Sequence, residues 1–288
     1  MPISDNSIFY EGGRTGVLLI HGLGGTPVEM KSIARYIADA GATVYCCQLA
    51  GHCGTAADLA TTRWQDWYAS ADEALAKLEA NCDRVIVGGL SMGAILAARL
   101  ATCEPERVCG VIMLAPTLWY DGWSIPWYSF LLKWFINTPA GRRYHFVATE
   151  PYGVKDERIR RILVKALMSG ESIDAGLLAT PSLALRELWR LVTALKPWLS
   201  QIKQRVLIIQ AREDETASLK NTEYLQRHLG GPVETLILDD SYHLITIDRQ
   251  RGLVMQRTTE FVKSFVPSAA SDSQSKGAVK LHVLPAAH

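Results

Sequence analysis

No block of like charge interrupts the 288-residue chain: 30 basic and 29 acidic side chains are interspersed and sum to +1. That balance argues against a nucleic-acid partner, which selects clustered Lys and Arg. No stretch reaches the roughly 18 consecutive apolar residues of a membrane-crossing helix, so stable membrane insertion is not expected. The opening MPISDNSIFY has neither the basic start nor the apolar run of a secretory signal. A soluble, cytoplasmic protein is expected. Cysteine is scarce and confined to the first half, at Cys46, Cys47, Cys53, Cys82, Cys103 and Cys109. None stands in a Cys-x-x-Cys pair or at the Cys/His spacing of a zinc site, so no metal is expected. The thiols read as free, small apolar side chains and not as a disulfide framework. Internal repeats are also missing.

What is present is enough apolar sequence, 48% of positions against 20% charged, to bury a sizeable core. Short runs rich in Val, Ile and Leu recur at Val17–Ile20, Thr43–Cys47, Val85–Val87, Val108–Leu114, Val206–Ile209 and Thr235–Leu238. Their lack of alternation suits strands covered on both faces. Between them, Val28–Ala40, Trp64–Ala80, Met92–Cys103, Leu219–Leu229 and Gly252–Phe265 read as helices. The alternation predicts an α/β fold with a mostly parallel, doubly wound sheet. From Pro116 to about Ile202 it stops, with helical patterns at Arg158–Met168 and Leu183–Leu195 and no convincing strand. An inserted helical lid over 117–202 is expected, on a core made of 1–116 and 203–266. The lid's first part holds Trp119, Trp123, Trp127 and Trp134, four of the eight tryptophans. Such a segment packs on the sheet domain, lines an acyl pocket, or touches a membrane surface. The small, polar end, 267–288, reads as a flexible tail.

The run RVIVGGLSMGAILAARLA places Gly89-Leu90-Ser91-Met92-Gly93 between an apolar strand and an amphipathic helix. A serine on so tight a turn takes a strained backbone and needs small neighbours. The turn lifts its hydroxyl above the sheet edge and aims the Met92 N–H, with the helix N-terminus, at charge developing on a substrate carbonyl. Ser91 is therefore the candidate nucleophile. The glycine-rich HGLGGTP after the first strong strand can supply a second oxyanion donor, the Leu23 N–H; His21 suits fixing that loop by hydrogen bonds. A later turn, AREDET, offers Glu213, Asp214 and Glu215. Asp214 is the expected acid, because a short carboxylate is easier to fix there and its neighbours should face other ways. His243, just after the last apolar run, is the expected base. His52, in AGHCGT, precedes the serine and reads as loop scaffolding, and the remaining histidines lie in the tail, the lid or a helix.

These segments together resemble the carboxylesterase and monoacylglycerol lipase branch of the α/β-hydrolase superfamily. HGLGGTP is similar to its oxyanion loop, GLSMG to its nucleophile elbow, AGHCG to its G-H-G loop, AREDET to its acid turn and SYHLITID to its base segment. The resemblance spans the chain outside the lid and tail. It implies the catalytic order Ser91, Asp214, His243 and hydrolysis of short to medium acyl esters or monoacylglycerols, with no metal or organic cofactor. Two departures stand out: a longer, tryptophan-rich lid, in which Trp119, Trp123 and Trp127 are substrate-binding candidates, and Cys53 in place of a glycine. The same machinery also serves thioester, amide or carbon–carbon cleavage, and a non-catalytic lipid receptor on this fold is the reading from another class.

Overall fold

The computed structural model describes residues 4–169 and 176–266; the expected tail, 267–288, lies outside them. In chain order the first half runs β1 (Ile8–Tyr10), β2 (Gly13–Ile20), α1 (Lys31–Asp39), β3 (Ala42–Cys47), α2 (Ala56–Thr61), α3 (Trp64–Glu79), β4 (Arg84–Leu90), α4 (Met92–Cys103) and β5 (Gly110–Leu114). The insertion carries α5 (Leu132–Phe135), α6 (Pro139–Arg142), β6 (His145–Val147), α7 (Glu157–Ser169), β7 (Ala179–Pro181) and α8 (Ser182–Leu195). The chain then returns through β8 (Arg205–Ala211), α9 (Leu219–His228), β9 (Val233–Leu238) and α10 (Arg251–Lys263).

Seven strands form one sheet in the order β1-β3-β2-β4-β5-β8-β9, parallel except for β1. Successive residues of each inner strand feed opposite faces, as the pleat requires. Leu18, Ile20, Val87, Val111 and Met113 join the core under α3, α4 and α8. Val17, Leu19, Ile86, Ile112 and Leu114 join the other, under α1 and α10. Both faces are covered, which is why the strands read as unbroken apolar runs. In α1 the buried Ile33, Ala34 and Ile37 form the stripe that docks it on the sheet.

Chain order reverses around β2, which lies between β3 and β4. At such a switch point the loops leaving adjacent strand ends diverge and open a crevice. Ile20 pairs with Gly89, so the loop after β2 and the turn after β4 start side by side.

Three features depart from the sequence reading. β1, with three residues, and α2, with six, were not expected, because each is too short to repeat its pattern twice. The insertion also holds a strand pair, with His145 opposite Pro181, where none was expected. Three-residue strands leave too few alternations to detect. The expected helix Val28–Ala40 divides into a 3-10 turn, Pro27–Met30, and α1.

Candidate active site

Ser91 stands between β4 and α4 with φ 56° and ψ −113°, a left-handed conformation that a side chain adopts only under constraint. The constraint is close packing. A Cβ on Gly93 would lie 2.1 Å from the Ile20 carbonyl oxygen, and one on Gly89 would lie 2.3 Å from the Gly93 carbonyl carbon. The two glycines thus let the turn sit directly against β2, while the Ser91 N–H donates to Leu114 O at 2.8 Å. The hydroxyl lies 3.0 Å from His243 Nε2 and 3.1 Å from Thr117 Oγ1. Thr117, fully buried, also donates to Ala115 O at 3.2 Å. Nothing in its sequence neighbourhood marked this threonine.

Asp214 Oδ2 lies 2.8 Å from His243 Nδ1, so the structure brings together the three side chains that the motifs single out. The carboxylate is buried and fully engaged. Oδ2 also accepts from Gln210 Nε2 at 2.6 Å, and Oδ1 accepts the Thr216 and Ala217 N–H groups at 2.8 Å each. Those donors fix an acceptor-only group against the imidazole. Of its neighbours, Glu213 turns outward to Lys155 Nζ. Glu215 does not: it is buried, and its Oε2 accepts the His243 backbone N–H at 3.1 Å. Its carboxyl is drawn in by that N–H, which has no other acceptor among the described residues, and this corrects the expectation that both neighbours of Asp214 face other ways.

His243 is itself buried. Burial alone would lower its pKa, but the charge and hydrogen bond of Asp214, with Glu215 and Glu29, raise it to about 9. The loop that carries it is tied by Asp248, whose buried carboxylate accepts the N–H groups of Tyr242, Lys155 and Asp156.

On the β2 side, Gly22 O accepts from His21 Nδ1 at 2.9 Å and from Gly25 N at 3.1 Å. In a trans peptide the carbonyl oxygen and the next N–H point opposite ways. Holding Gly22 O therefore aims the Leu23 N–H away from it, and no acceptor among the described residues takes that N–H. The Leu49 N–H donates to His21 Nε2 at 3.3 Å, which leaves the proton on Nδ1. Burial lowers the pKa of His21 to about 4, so the ring is neutral. His52 is buried edge-on to His21, 4.8 Å between ring centroids, as scaffolding. The Met92 N–H begins α4, where a helix offers it no internal partner.

The tryptophans separate. Trp119 packs edge-on to Tyr224 beneath Lys196 Nζ, 4.5 Å from its ring. Trp123 donates from Nε1 to Glu213 O and meets Tyr242, one residue from the base. Trp127 is 84% exposed. Thus the structure brings Trp123 to the acid and base loops and leaves Trp127 in solvent.

The insertion is stitched to every loop of the site. Asp121 and Gly122 donate to Thr216 O, and Ser124 donates to Glu215 O, on the acid loop. Besides the Asp248 bonds, the Leu244 N–H donates to Gly153 O on the base side. The Leu177 N–H donates to Gly24 O on the β2 side.

Similar proteins have related activities. A thermostable monoacylglycerol lipase of Bacillus sp. (strain H-257) is 28% identical over 255 residues, 88% of this chain and 92% of its own. A carboxylesterase of Bacillus subtilis (strain 168) is 22% identical over 256 residues, covering 88% and 94%. Among solved structures, one from the metagenome-derived lipolytic enzymes LipS and LipT superposes with a TM-score of 0.76 at 28% identity, covering 90% of this chain and 97% of that one. The architecture is that of the α/β-hydrolase superfamily. Residues 13–250, from the first residue of β2 to the threshold of α10, match the model of Hydrolase_4, described as serine aminopeptidase, S33, and the chain belongs to that family.

Proposed function

We propose that this protein hydrolyses carboxylic esters through an acyl-serine intermediate. The single observation that carries the reading is the alignment of Ser91 Oγ, 3.0 Å from His243 Nε2, with Asp214 2.8 Å behind the ring. Ser91 attacks the acyl carbonyl while His243 takes its proton, and Asp214 holds the ring tautomer and stabilises the imidazolium. The Leu23 and Met92 N–H groups receive the oxyanion, each such donor contributing about 3 kcal/mol to the transition state. His243 returns the proton to the leaving alcohol, and water activated by the same ring releases the acid.

The substrate class follows the relatives, a monoacylglycerol lipase and a carboxylesterase. Residues 117–202 act as the lid, with Trp123 beside the acyl chain and Trp119 and Trp127 as its further contacts. The face around Trp127 makes peripheral contact with lipid. A cytoplasmic location, expected from the sequence, is part of this proposal. A second reading changes only the scissile bond, and the family's description as an aminopeptidase favours amides.

Labelling by a fluorophosphonate, together with kcat/KM over p-nitrophenyl esters of increasing length, monoacylglycerols, acyl-CoA thioesters and aminoacyl anilides, tests both. Wild type should label and prefer esters. Ser91→Ala should abolish labelling and lower turnover by about six orders of magnitude. An unlabelled wild type, or anilides outpacing every ester, would overturn the ester reading.

A further inference from the structure

One carboxyl group near the nucleophile has no part in the scheme above. Glu29 lies on the 3-10 turn Pro27–Met30, which Thr26 caps by accepting the Val28 N–H. The turn points its half-buried side chain back under the HGLGG loop. Oε2 accepts the Gly22 N–H at 3.1 Å. Oε1 presses on Gly25 so closely that a Cβ there would lie 2.2 Å from it. A Cβ on Gly22 would lie 3.6 Å from Glu29 Oε2 and 3.7 Å from Ser91 Cβ, so carboxyl and nucleophile flank the same glycine. No cation pairs with Glu29 among the described residues.

We infer that Glu29 is a positioning residue of the oxyanion loop, holding Gly22 from the nitrogen side while His21 holds it from the oxygen side, and that its charge acts on His243. The inference rests on the ester-hydrolase reading of Ser91 and His243. Two consequences follow from the geometry. The bond to Gly22 N fixes one face of the peptide that precedes the Leu23 donor, so its loss lets that donor wander. A negative charge here also stabilises the His243 imidazolium and opposes an oxyanion on the other side of the loop, so the base is harder to free of its proton. Burial raises the pKa of Glu29 to about 7, against the opposing pull of the Gly22 N–H and His243, so its charge changes within the working range of an esterase. Facing His243 are Asp214 and Glu215 from the acid loop and Glu29 from the 3-10 turn. Facing Glu29 are His243 and the Cys53 thiol, itself pushed up to about 12 by burial and by Glu29 and Asp5.

The test compares wild type, Glu29→Gln and Glu29→Ala by kcat and KM for p-nitrophenyl butyrate across pH, with fluorophosphonate labelling and circular dichroism melts alongside. Glutamine keeps an acceptor for Gly22 N–H and removes the charge. Its acid limb of kcat/KM should move down by about half a pH unit or more. Alanine removes both and should lower the plateau kcat about ten-fold with little change in KM, a loss that Gln restores in large part. A limb that stays in place in Glu29→Gln, or a folded Glu29→Ala whose plateau equals that of Glu29→Gln, overturns the inference while wild type still labels. A wild type that neither labels nor turns over overturns the ester reading, and this inference with it.

Discussion

At the scale of single residues, the imidazole of His243 has the most to reveal in solution. Its pKa is raised from 6.5 to about 9 against the effect of burial, chiefly by Asp214. Protonated, it cannot accept the Ser91 proton. Esterase kcat/KM should therefore climb between pH 6.5 and about 9 in wild type. In Asp214→Asn the limb should move down and the plateau should drop steeply, measurable as a full pH profile of each variant. A limb unmoved in Asp214→Asn would point to another partner for the ring. The same shift bears on stability. The native state holds this proton more tightly than the unfolded chain, so the contribution is complete below pH 6.5 and is lost as pH rises through about 9. Ser91, Asp214 and His243 were legible because each sits in a motif at the end of an apolar strand. Thr117, Glu29 and Glu215 were not, since their roles arise from partners 26, 7 and 28 residues away with no local pattern.

Among the elements, those long enough to repeat their pattern were legible, and short ones such as β1 and α2 were missed. β2 to β5 and β8 carry runs that both sheet faces bury, β9 at the sheet edge carries one that is only partly covered, and α4 was placed to the residue. What the periodicity leaves out is how the insertion is fastened. Asp248, inside the SYHLITID segment, gathers the N–H groups of Tyr242, Lys155 and Asp156. Asp248→Ala would leave those donors without their acceptor, and each buried unsatisfied group costs about 1–3 kcal/mol. Urea unfolding should therefore show a loss of about 3 kcal/mol or more, with Asp248→Asn intermediate because one carbonyl oxygen remains. A loss below about 1 kcal/mol in Asp248→Ala would mean that water replaces the carboxylate.

Across the whole molecule, the exposed apolar surface is concentrated on the insertion. Trp127, Tyr128, Phe130 and Trp134 are exposed, and Trp127 contacts both Tyr128 and Phe130. From Gly122 to Thr149 there is no Asp or Glu, but Lys133, Arg142 and Arg143 are present and exposed. Aromatic rings beside unopposed cations suit the boundary of an anionic bilayer. The protein should cosediment with phosphatidylglycerol vesicles more than with phosphatidylcholine, less so at high salt, and weakly after Trp127→Ala with Trp134→Ala. Equal recovery with both lipids, or no change in the double variant, would leave this face without that role. Composition alone could say only that the tryptophans cluster; which of them meet solvent depends on packing across 100 residues, as Trp119 against Tyr224 illustrates.

The fastening of the insertion at Asp121–Ser124, at Gly153–Asp156 and at Leu177 also sets the rules for exchanging it. A chimera that takes this whole region from a relative removes backbone partners from three loops at once, so its acid, base and oxyanion geometry would all be altered by a graft meant to alter substrate choice. A splice confined to 126–147 keeps each of those seams in the parent's own sequence. That stretch can then be exchanged as an interchangeable module, with the geometry of those three loops left to the chassis.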